Sequence, residues 1–177
     1  MGWRIRIFIS LAALCAIAFL ESCHYSFTGI ATTAKTISIE QFFNNSDLAP
    51  ANLGATFTNK LKDYFQQNSS LVVVQENGEL AVEGVVSEYR INPIAPTANP
   101  TDPNTRINAA ALTRLTISVK VNYVDTREDK NSFKDKTFSF YQDFDNNLNF
   151  QTVQEDLEKK IFEQIMLDIF NATVANW

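Results

Sequence analysis

LTISVKVNY, at residues 115–123, alternates apolar and polar side chains along its whole length. Successive side chains of a β-strand point to opposite faces of a sheet, so one face of this strand is apolar and the other is polar. The pattern predicts a strand that is buried on one face and solvated on the other, as in antiparallel sheets. A fold built around this strand needs a covering layer on one side of the sheet.

Strand patterns also occur on both sides of this stretch. The sequence predicts strands at residues 36–40, 71–74, 79–92 and 133–144. Asn77-Gly78 lies between the second and third of them and favours a two-residue hairpin, because both residues tolerate a positive φ. The later strands are then expected to form an antiparallel meander.

The apolar residues of the strand at 79–92 change parity near Gly84, which predicts a bulge or a bend at that position. Glu83 and Glu88 are an odd number of residues apart, so they face opposite ways in a regular strand. This spacing does not favour a pair of carboxylates acting together as in a glycosidase.

Two amphipathic helices are predicted. The first covers about residues 52–67, and its apolar stripe consists of Leu53, Phe57, Leu61, Tyr64 and Phe65. The second opens with Thr152 and Glu155, which match a capping box. Its stripe consists of Leu157, Ile161, Phe162, Ile165, Met166, Ile169 and Phe170. The predicted fold is α+β, with a four- to five-stranded mixed sheet, two helices packed on one face, and β-α-β-β-β-β-α order.

The first residues of the chain have the pattern of a secretory leader. Arg4 and Arg6 precede an apolar run at residues 7–20, and the small Ser22 stands directly before Cys23. The pattern resembles a bacterial lipobox, in which the cysteine becomes the first mature residue and carries acyl chains. An ordinary signal peptide and an N-terminal anchor helix are the alternatives.

The expected division of the chain is a lipoprotein signal peptide at 1–22, a lipidated tether at 23–34 and a single domain at 35–177.

The cysteine count and the net charge exclude two further features. Of the two cysteines, Cys15 is expected to leave with the leader, so no intramolecular disulfide can form in the mature chain. The net charge of −5 argues against nucleic acid as a ligand, because neutralising phosphates requires clustered Lys and Arg.

Residues that could carry catalysis are scarce. The single histidine, His24, lies beside the predicted anchor and cannot by itself supply a nucleophile–base pair or a metal cluster. The five glycines form no phosphate-binding loop. We therefore expect no catalytic residue, no metal and no cofactor, and we do not expect an enzyme. A hydrolase that uses carboxylates from separate elements remains an alternative.

Two groups of residues could carry binding. Arg90, Arg106 and Arg114 lie in or beside a proline-rich loop at 93–111, and arginine pairs well with phosphate. Lys134 and Lys136 share a parity with three aromatic residues of the last strand, Phe138, Phe140 and Phe144. The alternatives are solvated charges at strand ends for the first group, and a buried aromatic face with lysines at its end for the second.

Several segments together resemble the LptE family of lipopolysaccharide-assembly lipoproteins, most closely its Bacteroidetes-type branch. They are CHYSFTG at 23–29, KTISI at 35–39, FTNKLKDYF at 57–65, the residues Gly84, Tyr89 and Pro93, IFN at 169–171 and VANW at 174–177. The resemblance extends over essentially the whole mature chain. It implies a helper protein held in the lumen of an LptD β-barrel, where it supports barrel assembly and the transport of lipopolysaccharide, which such proteins can also bind.

The resemblance also implies attachment to the inner leaflet of the outer membrane, facing the periplasm and the barrel lumen. His24 follows Cys23, where an aspartate commonly marks inner-membrane retention in enterobacteria, and no acidic cluster follows the cysteine. The alternative function is a lipid-anchored adaptor subunit of another envelope export machine.

Overall fold

The computed structural model describes residues 33–94 and 112–174, which form a mixed sheet and two helices. The strands are β1 Thr36–Ile39, β2 Phe43–Asn44, β3 Val72–Val74, β4 Leu80–Ile94, β5 Leu112–Asp125 and β6 Phe133–Asp145, and the helices are α1 Leu53–Asn68 and α2 Phe150–Thr173. The predicted α+β class and mixed sheet are confirmed. The sheet has six strands, and not the four or five that were predicted. The additional strand, β2, has only two residues, which are too few to form a recognisable pattern in the sequence.

The strands lie in the order β3-β1-β4-β5-β6, and β2 pairs with β4 beyond the end of β1. β1 is parallel to both β3 and β4. β4, β5 and β6 form an antiparallel meander, as the sequence predicts. The three long strands therefore follow one another in the chain, and the short strands extend the sheet beyond β4.

The predicted hairpin at Asn77-Gly78 is wrong. Asn77 does have a positive φ of 56°, but β3 and β4 are not neighbours, because β1 lies between them. The chain crosses the backbone of β1 at Gly78, where an added Cβ would collide with the amide nitrogen of Ser38 and the carbonyl carbon of Ile37. The glycine is needed for this close approach of two backbones.

The parity change in β4 is confirmed, but its position is three residues later than predicted. The register shifts between Val86 and Glu88, so the bulge contains Ser87 and not Gly84. As a consequence, Glu83 pairs with Asn122 and Glu88 with Ser118, which places both carboxylates on the same face of the sheet. The expectation that they face opposite ways is wrong.

The core lies between one face of the sheet and the two helices. Four alternate residues of β5 are completely buried: Leu115, Ile117, Val119 and Val121. The ring of Phe57 on α1 meets Phe162 on α2 with centroids 5.0 Å apart, and Phe65 meets Phe170 at 5.2 Å. The second contact lies eight residues further along both helices than the first, so the two helices run parallel to each other across the sheet.

Helix α2 begins earlier than the sequence predicts. Asn149 is the N-cap, and its side chain accepts a hydrogen bond from the backbone N–H of Gln151 at 2.9 Å. Thr152 and Glu155 are therefore inside the helix and do not form the expected capping box. The helix continues to Thr173, whose carbonyl oxygen accepts a hydrogen bond from the buried hydroxyl of Tyr123.

The crossing at Gly78 predicts a large effect of a small substitution. Replacing Gly78 with alanine should lower the free energy of unfolding by about 3 kcal/mol, because the new methyl group meets backbone atoms that cannot rotate away. Asn77→Gly is the matched control and should change stability by less than about 0.5 kcal/mol, since its positive φ suits glycine. Urea unfolding of both variants measures the difference. Equal stability of the two variants would contradict the crossing.

Two buried tyrosines predict a loss of stability at alkaline pH. Burial raises the pKa of Tyr89, aided by its hydrogen bond to Glu158, and burial with nearby Asp125 raises the pKa of Tyr123. Both folded-state pKa values are above the unfolded value of about 10, so stability is unaffected by these groups below pH 10 and falls above it, by up to about 1.4 kcal/mol per pH unit for each tyrosine.

Urea unfolding between pH 9 and pH 11 checks this, with Tyr89→Phe and Tyr123→Phe each removing part of the slope. A slope that is unchanged in the double variant would rule out the assignment.

Candidate binding face

The outer face of the sheet is the side of β4, β5 and β6 that points away from α1 and α2. In the described ranges, 33–94 and 112–174, no helix or strand packs against it. Its side chains come from alternate residues and include Glu83, Glu88 and Arg90 on β4, Arg114, Ser118, Lys120 and Asn122 on β5, and Ser139, Tyr141 and Asp143 on β6. Two of the arginines that the sequence predicts to contact a ligand, Arg90 and Arg114, lie on this face.

Arg114 is held in one orientation by two neighbours on β6. Its Nε and Nη2 donate hydrogen bonds to the two carboxylate oxygens of Asp143 at 2.7 and 2.9 Å, and its guanidinium carbon lies 3.5 Å from the centre of the Tyr141 ring. The hydrogen bonds to Asp143 raise the pKa of Arg114 above its ordinary value. The tyrosine ring remains 46 % exposed. The arrangement presents a rigid stacked pair to any molecule that lies on the face.

A line of polar contacts crosses the three strands beside this pair. Arg90 makes an ion pair with Glu88 at 2.9 Å, and Glu88 accepts a hydrogen bond from the hydroxyl of Ser118 at 2.8 Å. The hydroxyl of Ser118 is also 2.9 Å from that of Ser139. The bulge at Ser87 makes this possible, because it turns Glu88 to the outer face. Each of the two arginines thus faces a carboxylate.

A shallow cavity of about 310 Å³ lies at the other end of the outer face. Asn122 lines it, and its amide nitrogen donates a hydrogen bond to Glu83 at 2.9 Å, while its amide oxygen accepts one from the backbone N–H of Asp135 at 2.7 Å. Val124 and Lys134 also line the cavity. Within the described part of the chain, Lys134 has no carboxylate within ion-pair distance.

The prediction that Lys134 and Lys136 lie on one face of the sheet, which was based on their parity, is wrong. Asp135 has a positive φ of 52°, and the register shifts at this point. Lys136 therefore lies beside the helices, with its ammonium 5.0 Å from the ring of Phe133 and 5.3 Å from that of Phe138. The aromatic face of β6 is part of the core, where Phe138 and Phe144 are buried and Phe140 is half-buried.

The remaining predicted site residues, Cys23 and Arg106, lie outside the described residues. Sequence reasoning missed Glu88, Asp143 and Tyr141 as partners of the arginines. The alternation of side chains along β6 could have placed Tyr141 and Asp143 on the polar face, because they alternate with the buried phenylalanines.

In the part of the chain that the structure describes, no group of three or more His, Cys, Asp or Glu side chains could hold a metal ion. Neither described helix is long and apolar enough to cross a membrane.

The protein is a small α+β domain in which two helices cover one face of the sheet, and no described helix or strand covers the other. The model of the LptE family, described as lipopolysaccharide-assembly, matches residues 34–173. The chain therefore belongs to the LptE family. No curated protein matches the chain significantly.

Several solved structures share the fold at low sequence identity. A protein from Xanthomonas campestris of the DUF330 family has a TM-score of 0.55 at 7 % identity, over 82 % of this chain and 86 % of that one. A hypothetical protein from Chlamydia trachomatis has a TM-score of 0.50 at 13 % identity, over 81 % of this chain and 99 % of that one. These likenesses concern the fold alone.

Proposed function

We propose that this protein is a non-enzymatic lipoprotein that fills and supports an LptD-type β-barrel in the outer membrane and so assists the transport and insertion of lipopolysaccharide at the cell surface. The observation that carries the proposal is the family match over residues 34–173, which includes every strand and both helices. The family accounts for a role in lipopolysaccharide assembly. The barrel as the direct partner is our inference.

Cys23 is proposed as the anchor that keeps the domain at the inner leaflet of the outer membrane. Two or more acyl chains on one residue give firm attachment, because the free energy of burying each chain adds to that of the others. Residues 24–32 would then separate the membrane from the described domain, which would face the periplasm and the barrel lumen.

The outer face is proposed as the surface that meets the barrel. Its arginines already face carboxylates, Arg90 with Glu88 and Arg114 with Asp143, so the surface is polar without a strong positive charge. Exposed Tyr141 adds an aromatic surface with a polar tip, which is a common type of residue at protein interfaces. The paired arginines and Tyr141 fit a protein wall, whereas an anionic lipopolysaccharide head would favour Lys120 and Lys134, which make no ion pair among the described residues.

Lipopolysaccharide remains a second proposed ligand, for which Lys134 is the better placed cation of the outer face. It lines the cavity with Asn122 and has no ion-pair partner among the described residues. Lys136 and Arg106 stay as candidate contacts, the first beside Phe133 and the second outside the described residues.

A tagged pull-down from detergent-solubilised outer membrane tests the proposal. We expect the wild-type chain to recover a large LptD-like barrel in roughly equal amount, and the intact mass of the recovered chain to show acyl chains on Cys23. Arg114→Ala combined with Tyr141→Ala should lower barrel recovery tenfold or more, because it removes the stacked pair from the proposed interface.

Lys159→Ala combined with Lys160→Ala, on the exposed side of α2, is the matched control and should leave recovery unchanged. Recovery of a different envelope complex would favour the adaptor function. Recovery of the chain alone, or equal loss in both double variants, would overturn the proposal for the outer face.

A further inference from the structure

Asn77 and Gly78 form a pair that is chemically labile when the chain is unfolded. The backbone nitrogen that follows an asparagine can attack the side-chain amide carbon, and glycine leaves this nitrogen least hindered because it has no Cβ. The chain contains the Asn-Gly sequence once. Asn77 is exposed to water, whereas Gly78 is buried. The fold therefore acts differently on the two partners of this reaction.

The fold fixes the backbone directly after this pair. Gly78 lies in the crossing over β1, where an added Cβ would collide with backbone atoms of β1 and β4. Glu79 donates its backbone N–H to Oγ1 of Thr36 at 3.0 Å, and its carbonyl oxygen accepts hydrogen bonds from the backbone N–H and the hydroxyl of Thr126 at 3.0 and 2.8 Å. The nitrogen of Gly78 has little freedom to move while these contacts are intact.

Deamidation would place an additional carbon directly on this buried nitrogen. The attack joins the nitrogen of Gly78 to Cγ of Asn77, ammonia leaves from Cγ, and a five-membered succinimide ring remains. Water then opens the ring at one of its two carbonyl carbons. Cleavage at Cγ leaves aspartate with the normal backbone. Cleavage at the main-chain carbon leaves isoaspartate, whose backbone runs through Cγ and is one carbon longer.

Isoaspartate does not fit the crossing, because the additional backbone carbon directly before Gly78 must displace a neighbour. Gly78 has no room to move, since the nearest atoms around it are backbone atoms of β1 and β4 that cannot rotate away. The aspartate product keeps the normal backbone length, and aspartate tolerates the positive φ of Asn77 as asparagine does. The two products therefore differ in whether the chain can refold.

We propose that the Asn77-Gly78 pair limits how long the chain can stay unfolded and still reach its native structure. The crossing protects Asn77 from deamidation in the folded chain, and a chain that has formed isoaspartate at position 77 while unfolded cannot re-form the crossing. The inference goes beyond the proposed function and does not rest on it. It depends on the crossing over β1, whereas the proposed barrel contact depends on the outer face.

Incubation of full-length chains at mildly alkaline pH tests the protection. One sample is folded in detergent, and a second is unfolded in guanidinium chloride. Mass spectrometry of proteolytic fragments measures the deamidation at position 77 over time. We expect deamidation to be about tenfold slower in the folded sample, because the reaction requires the crossing to open first. Equal rates in the two samples would overturn the protection.

Refolding of the incubated chains tests the effect of the product. After the denaturant is removed, gel filtration separates folded chains from aggregated ones. We expect isoaspartate at position 77 to be depleted about tenfold in the folded fraction, and the aspartate product not to be depleted. Asn77→Gly, which has no side-chain amide, is the matched control, and its refolding yield should not fall with time in denaturant.

Two results would overturn the proposal. One is an equal share of isoaspartate at position 77 in the folded and aggregated fractions, since it would show that the crossing accepts the longer backbone. The other is an equal decline of the refolding yield in wild-type and Asn77→Gly chains, since it would assign the loss to another site.

Discussion

The burial of one face of the sheet beneath two helices is the constraint on which the rest of the structure depends. Leu115, Ile117, Val119 and Val121 are completely buried there, and burying each such side chain contributes roughly 1.5–3 kcal/mol. Helix α2 packs against β5 and β6, and helix α1 packs against β2, β3 and α2. The opposite face of the same strands must then be stabilised by contacts among its own polar side chains, and it remains available to another molecule.

Periodicity predicted those parts of the fold in which burial repeats regularly. The meander of β4, β5 and β6 and the stripes of both helices follow from it directly. The position of β1 between β3 and β4 does not, because it is decided by the approach of Gly78 to Ile37 and Ser38, far apart in the sequence. The turn propensity of Asn77 correctly predicts its positive φ. It carries no information about which strand pairs with β3 or with β4.

The bulges decide which candidate site residues come together. Because side chains alternate along a strand, a single extra residue moves everything beyond it to the other face. The bulge at Ser87 brings Glu88 to the outer face, where it meets Arg90, and the irregularity at Asp135 separates Lys134 from Lys136. Arg90 and Arg114, the predicted site arginines within the described residues, could be predicted as neighbours, but their carboxylate partners required the cross-strand register.

In the proposed function the outer face meets the wall of an LptD-type barrel. Photo-cross-linking in living cells tests this most directly, with a photoreactive amino acid at position 141 on the outer face or at position 160 on the exposed side of α2. We expect an adduct between position 141 and the barrel, in higher yield than any adduct from position 160. Adducts from position 160 alone, or no barrel adduct from either position, would contradict it.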